Sequence, residues 1–229
     1  PNMTPAQIKA QIVNTAKNIY GTENNQKFLG QLGSGLLDMR SALDSVVKHA
    51  VSMENFVLTD NDDEAYLLDD ELELGIEMVN WLGETEGLIV SLVSLNPKVE
   101  VVDALRHFPA LKSNARTNNY TDPFKLKVVG DGNTNEPVVL RLDITDGTFN
   151  YQEYVTFIIN PDFVNVDVNH VSSTFSSAGQ IGFIDNELSK GLGFQLEWDG
   201  NFLYEAGLMV GALVEGKSKV LDRIRNENR

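Results

Sequence analysis

The period of the hydrophobic pattern changes partway along the chain, and this change constrains the fold more than any other feature. Before about residue 50 apolar residues recur every three to four positions. From about Phe56 they recur every second position. Leu72, Leu74, Ile76 and Met78 alternate with Glu71, Glu73 and Glu77, as in a strand with one face in a core and one in water. Phe124, Leu126 and Val128 alternate with Lys125 and Lys127, and Val138, Leu140, Leu142 and Ile144 with Arg141 and Asp143. Gly130-Asp131-Gly132-Asn133 lies between those two runs and tolerates the positive φ of a tight turn. Further strands are predicted at 87–95, 98–105 and 152–159. Turn signals separate them without an intervening helical pattern, which predicts an antiparallel β-sandwich of about 100 residues.

The first fifty residues predict two helices. Thr4 is an N-cap, with Pro5 at the first helical position and Gln7 completing a capping box. Ile8, Ile12, Ala16 and Ile19 form the expected buried stripe of the first helix. Gly33-Ser34-Gly35 precedes Leu36, Leu37, Met39, Ala42, Leu43, Val46 and Val47, read as a second helix reaching Lys48. After Pro161 the pattern is again β. Phe194, Leu196 and Trp198 alternate with Gln195 and Glu197, and Asp199-Gly200-Asn201 leads into Phe202-Leu203-Tyr204 as a hairpin signal. The expected organisation is therefore mainly β, with an Ig-like sandwich over 51–160. Two α-helices precede it over 1–50, and an incomplete β-rich module follows over 161–229.

Charge narrows the partners. The chain carries 33 acids against 18 bases, a net −15. A phosphate backbone would be repelled, so nucleic acid is not an expected partner. No apolar run is long enough to span a membrane. The absence of cysteine removes disulfides, thiolate metal sites and a cysteine nucleophile. The acidity is local, because residues 51–100 hold thirteen acids and one base. Asp60, Asp62, Asp69 and Glu71 are accordingly candidate ligands for calcium, a hard cation that takes oxygen donors. The competing reading is a solvated acidic face screened by salt.

Three histidines, His49, His107 and His170, could serve a hydrolytic triad. None sits in a catalytic motif, so structural roles are expected, with His49 at a helix C-terminus. Ser172, Ser173, Ser176 and Ser177 near His170 are read as β-turn serines. Trp81, Trp198, Tyr151 and Tyr154 are a candidate aromatic platform for sugar, set against burial in the sandwich.

Residues 4–43, from Thr4-Pro5-Ala6-Gln7-Ile8-Lys9 to Gly33-Ser34-Gly35-Leu36-Leu37-Asp38-Met39-Arg40-Ser41-Ala42-Leu43, resemble the end of a subtilisin-like serine protease domain. In that family a "TPxxIKxxLxxTA" helix and then a "GxGxLDxxxAL" helix close the catalytic domain. Leu36 stands where the family often has a polar residue. The Gly-Thr-Ser-Met-Ala nucleophile motif and the segments bearing the family's aspartate and histidine are absent. Asp60–Glu64 followed by Asp69–Leu74 resembles the acidic start of Ig-like modules that follow the catalytic domain in secreted subtilases, with Asp70-Glu71 in place of Gly-Glu. Gly191–Phe194 with Leu203–Leu208 is similar to the next module of such proteases.

The resemblance implies a non-catalytic C-terminal part of a secreted or cell-surface serine endopeptidase. Its implied partners are an upstream catalytic domain and the parent enzyme's protein substrates. The start at Pro1, with no basic stretch and apolar core, fits a piece of a longer chain without its own signal peptide. The alternative is an adhesion or carbohydrate-binding sandwich without protease activity.

Overall fold

The alternating runs between residues 51 and 160 become strands, and these stack as two antiparallel sheets. The computed structural model describes residues 3–44, 49–62, 64–177, 179–183, 191–196, 200, 201, 203, 205–207 and 209–222. Of the described residues 47% are strand and 11% helical. The first sheet holds β1 (Val51–Thr59), β2 (Glu71–Asn80), β4 (Val99–Asp103), β6 (Arg116–Asn118) and β7 (Phe124–Val128), in the order β1-β2-β7-β4 with β6 also on β2. The second holds β3 (Leu88–Ser94), β5 (Leu105–Phe108), β8 (Glu136–Thr145) and β9 (Asn150–Ile159), in the order β5-β3-β8-β9. This is the two-sheet arrangement of an Ig-like sandwich.

The period of two places one side chain in every pair between the sheets. Leu72, Leu74, Ile76 and Met78 from one sheet and Val138, Leu140, Leu142 and Ile144 from the other are all buried in one core. The outward positions explain how the acidic stretch is tolerated. Glu71 and Glu73 of β2 stand opposite Lys127 and Lys125 of β7, which in turn face Glu100 and Asp103 of β4. Cross-strand opposite charges stabilise such a face by a few tenths of a kcal/mol per pair.

Only Ala104 separates β4 from β5, yet these strands belong to different sheets, so the chain crosses the sandwich edge there. Arg106, on β5, plugs that corner. Its side chain is buried, and it bonds the carbonyls of Leu105, Asp122 and Pro123 as well as the Asp103 carboxylate.

The N-terminal segment departs from its sequence expectation. The first helix, α1, runs Pro5–Asn14 with the Thr4–Gln7 capping box in place. It stops before Ala16 and Ile19, because Lys17 and Leu36 pair backbone to backbone at 2.8 and 2.9 Å. Gly35 makes that pairing possible. It has φ +118°, and a Cβ there would stand 2.2 Å from the Lys17 carbonyl oxygen. Leu36 and Leu37 are thereby held out of the second helix, α2, which spans Met39–Asp44 with Asp38 accepting from the Ser41 amide. Val46, Val47 and Lys48 lie outside the described residues.

The face that α1 buries also differs. Ile8 and Ile12, expected inside, are 48% and 36% exposed, whereas Ala10 and Gln11 are buried. Beside Ala10, which packs on Ala50 and Leu82, polar side chains make the inward contacts. Gln7 donates to the Trp81 carbonyl at 3.1 Å, Gln11 to Ala42 at 3.2 Å and Asn14 to His49 at 3.5 Å. Backbone carbonyls left open at the sandwich rim require donors, and that demand outweighs the apolar stripe.

Beyond Pro161 a separate sheet orders β10 (Phe163–Val168), β11 (Val171–Ser176), β12 (Gln180–Gly182) and β14 (Glu205–Gly207), with β13 (Phe194–Leu196) also on β11. A hairpin follows, β15 (Met209–Val214) and β16 (Lys217–Asp222). Its Glu215-Gly216 turn has φ of 52° and 74°, as a type I′ turn requires. At the expected hairpin near Gly200, Gln195 and Asn201 form an isolated antiparallel bridge. Glu197, Trp198, Asp199, Phe202 and Tyr204 lie outside the described residues.

Candidate functional site

Where the N-terminal segment rests on the sandwich it leaves two adjoining cavities, of about 650 and 460 Å³. Val13, Asn14, Ser34, Tyr151 and Glu153 line both. The alternation of β9 explains the composition of the wall. Val155 and Ile159 of β9 turn into the core, while Tyr151 and Glu153 sit nearer the strand's start, where the N-terminal segment covers the sheet edge. Ser34 Oγ meets Tyr151 Oη at 3.2 Å. The Tyr20 and Tyr154 rings stand 5.6 Å apart. Tyr20 is buried, with its hydroxyl donating to the Gly33 carbonyl and accepting from the Leu32 amide.

Glu153 is the chemically distinctive group. Burial pushes its carboxyl up to about 7, opposed by one hydrogen bond from the Met53 amide at 3.3 Å. A carboxyl poised near neutrality in a cleft is a mark of functional sites. Tyr151 is likewise raised by burial, with the Ser34 hydrogen bond acting the other way. A larger cavity of about 990 Å³ lies between the sandwich and the C-terminal sheet. Its Tyr66 hydroxyl is already engaged by the Leu58 carbonyl.

The four carboxylates expected to bind calcium are not gathered. Among the described residues no group of three or more acids or histidines is placed to hold a metal ion. Asp60 accepts the amides of Asp62 and Glu64 and so organises its own loop. Asp69 pairs with Lys127 at 3.4 Å, and Glu71 stands opposite the same lysine on β7. Lysine and backbone amides thus answer the charge that suggested an ion. The expected outcome is a melting temperature that millimolar calcium moves no further than sodium chloride of matched ionic strength. A specific rise would show the loop rearranging around the ion.

The histidines are dispersed. His49 packs on Phe149, with Nδ1 3.5 Å from the Gly83 carbonyl and Nε2 3.9 Å from Asp146. Its ring contacts are with the sandwich, and the helix end the sequence suggested, reaching Lys48, lies outside the described residues. The Asp146 Oδ2 it faces is buried without a hydrogen bond. Burial alone would raise that carboxyl, but bonds from Thr148 and Phe149 hold it below the usual range. His107 is exposed on β5 opposite Ile89, and His170 occupies the β10–β11 turn. Ser172 donates to Asp167, and Ser176 accepts from the Gln180 amide.

Of the expected aromatic platform, Tyr151 and Tyr154 both line the first cavity. Trp81 lines the second cavity and donates to Ser52, and Trp198 lies outside the described residues. Sequence reasoning missed Tyr20, Ser34 and Glu153. The period-two pattern around Tyr151 and Val155 could have flagged Glu153 as a carboxyl on a partly covered strand.

No protein-family model matches the chain, and no curated protein matches it. Among solved structures, it is similar to a FixG-related protein from Vibrio parahaemolyticus at 15% identity and TM-score 0.32, covering 50% of this chain and 98% of that one. It is also similar to a family 123 glycoside hydrolase from Clostridium perfringens at 11% identity and TM-score 0.29, covering 49% of this chain and 27% of that one.

Proposed function

We propose that this chain is the non-catalytic C-terminal part of a secreted or cell-surface subtilisin-like serine endopeptidase. Its sandwich holds the closing helices of the catalytic domain so that their apolar side faces the protease body. The observation that supports this reading is the inversion of the N-terminal segment. Gln7 donates to Trp81, Asn14 to His49 and Gln11 to Ala42 of α2, while Ile8, Ile12, Leu36, Leu37, Met39 and Leu43 are 48%, 36%, 60%, 53%, 60% and 80% exposed. So many exposed apolar side chains in one short segment mark an interaction surface. The resemblance of residues 4–43 to the end of a subtilase domain names the partner.

The test is to read the gene upstream of the Pro1 codon and express the longer product. A Gly-Thr-Ser motif there, with a fluorophosphonate labelling the longer product and not this chain, is the expected result. An open reading frame that begins at this chain with its own leader would overturn the proposal.

The second reading, a carbohydrate-binding module, is favoured by Tyr151 and Tyr154 beside Asp143, Gln152 and Glu153 in one groove. Selective binding on a glycan array would support it.

A further inference from the structure

Only Asn160, Pro161 and Asp162 separate β9, the last strand of the sandwich, from β10, the first strand of the C-terminal sheet. Units joined in tandem ordinarily move against one another unless a large apolar interface unites them. Among the described residues the buried core of the sandwich ends at Ile159 and takes no side chain from the C-terminal sheet. Whatever fixes the angle between the two units is therefore local to the junction.

Bonds at that point run in both directions. Asn135, just before β8, and Asp162 bond each other twice: Asn135 Nδ2 donates to Asp162 Oδ1 at 2.7 Å, and the Asp162 amide donates to Asn135 Oδ1 at 3.0 Å. The Asn135 amide donates to the Asn160 carbonyl at 2.9 Å, and the Asn160 amide to the Tyr66 carbonyl at 2.8 Å. Asn160 Nδ2 reaches the Gly132 carbonyl at 3.0 Å. On the far side, the Asp162 carbonyl accepts from the Ser177 amide, just past β11, at 2.6 Å. Asp162 thus grips the sandwich with its side chain and amide, and the C-terminal sheet with its carbonyl. Asn135 and Asn160 have φ of 57° and 50°, a left-handed backbone that asparagine tolerates better than most residues. Pro161 stands between two bonded neighbours with its own φ fixed by the ring, so the linker keeps little freedom.

We propose that the Asn135–Asp162 pair is a clasp that makes the sandwich and the C-terminal sheet one rigid body and holds the groove between them at a fixed width. That groove is the cavity of about 990 Å³, with Tyr66, Asn135 and Phe157 of the sandwich on one wall and Phe163, Val164 and Leu192 of the C-terminal unit on the other. With the clasp closed its walls keep one separation, and the cleft is preformed. With the clasp removed, the C-terminal sheet swings about the linker and the cleft loses its shape. No shared core restrains that swing among the described residues, so two side chains decide whether the units travel together.

The chain has no cysteine, so spin labels at the exposed positions Thr121→Cys on the sandwich and Val168→Cys on β10 report only the spacing of the two units. The labelled chain is expected to give one narrow distance distribution. Asn135→Gly deletes both bonds of the pair while its backbone adopts the left-handed conformation freely, and Asp162→Ala deletes one. The glycine variant should broaden the distribution by about twofold or more and the alanine variant by less, with the melting temperature of the sandwich unchanged. Asp162→Asn keeps an acceptor for Asn135 and should stay narrow. A broad distribution in the parent chain, variants as narrow as the parent, a sandwich that unfolds along with the junction, or broadening by Asp162→Asn equal to that by alanine would each overturn the clasp.

Discussion

Replacing Arg106 with methionine is expected to cost about 3–5 kcal/mol, the usual penalty for removing one partner of a buried charge network. The guanidinium is 6% exposed and performs work that no apolar side chain can. Nε donates to the Asp122 carbonyl at 2.6 Å, Nη1 to Leu105 at 2.6 Å, and Nη2 to Pro123 and to Asp103 at 3.0 Å. Its carbon lies 5.2 Å from the centre of the Phe124 ring. Methionine would fill the space and leave three carbonyls unanswered where the chain passes between sheets. Lysine would fare little better, because one ammonium cannot reproduce a planar fork of donors. Asp103 and Asp122 have side chains 49% and 76% exposed, so Asp103→Asn and Asp122→Asn should cost about 1 kcal/mol or less. Urea midpoints decide the matter. A loss below about 1 kcal/mol for the methionine variant would show that water satisfies the corner.

The second large effect is expected at Asn80. Its side chain is fully buried and serves four backbone groups, donating to Gly83 at 2.7 Å and Leu111 at 2.9 Å and accepting from Ala50 and Leu82 at 3.4 Å each. Asn80→Leu keeps the branched shape and strands all four, at a cost of about 3 kcal/mol in thermal or urea unfolding. Ala50 is where the N-terminal segment joins β1, and it packs with Ala10 and Leu82 in a small cluster separate from the main core. Exchange protection should therefore fall first around Ala50 and Ala10. Protection lost uniformly across β2 and β8 would show that Asn80 supports the whole sandwich.

The strands were legible because alternation is a local property. Leu72 to Met78 and Val138 to Ile144 each state their own face, and any partner sheet with an apolar side satisfies them. The Thr4 capping box was legible for the same reason, since its atoms are three residues apart. The acidic stretch shows the limit of such reading. The sequence offers Asp69 and Glu71 as ion ligands but does not show that the register of β2 on β7 sets Lys127 beside them. A strand's pattern does not name its neighbour.

The sequence by itself determined that the middle of the chain is a sandwich, where its turns fall and how its first helix starts, because these depend on contacts within a few residues. Tertiary structure alone decided which way α1 faces, which carboxyl is buried and which carboxylates are neutralised. Those outcomes depend on groups far apart in the chain. Gln7 meets the Trp81 carbonyl, and Glu153 meets the Met53 amide. The free energy of a buried polar group is set by the partner that folding brings to it, which no local pattern encodes.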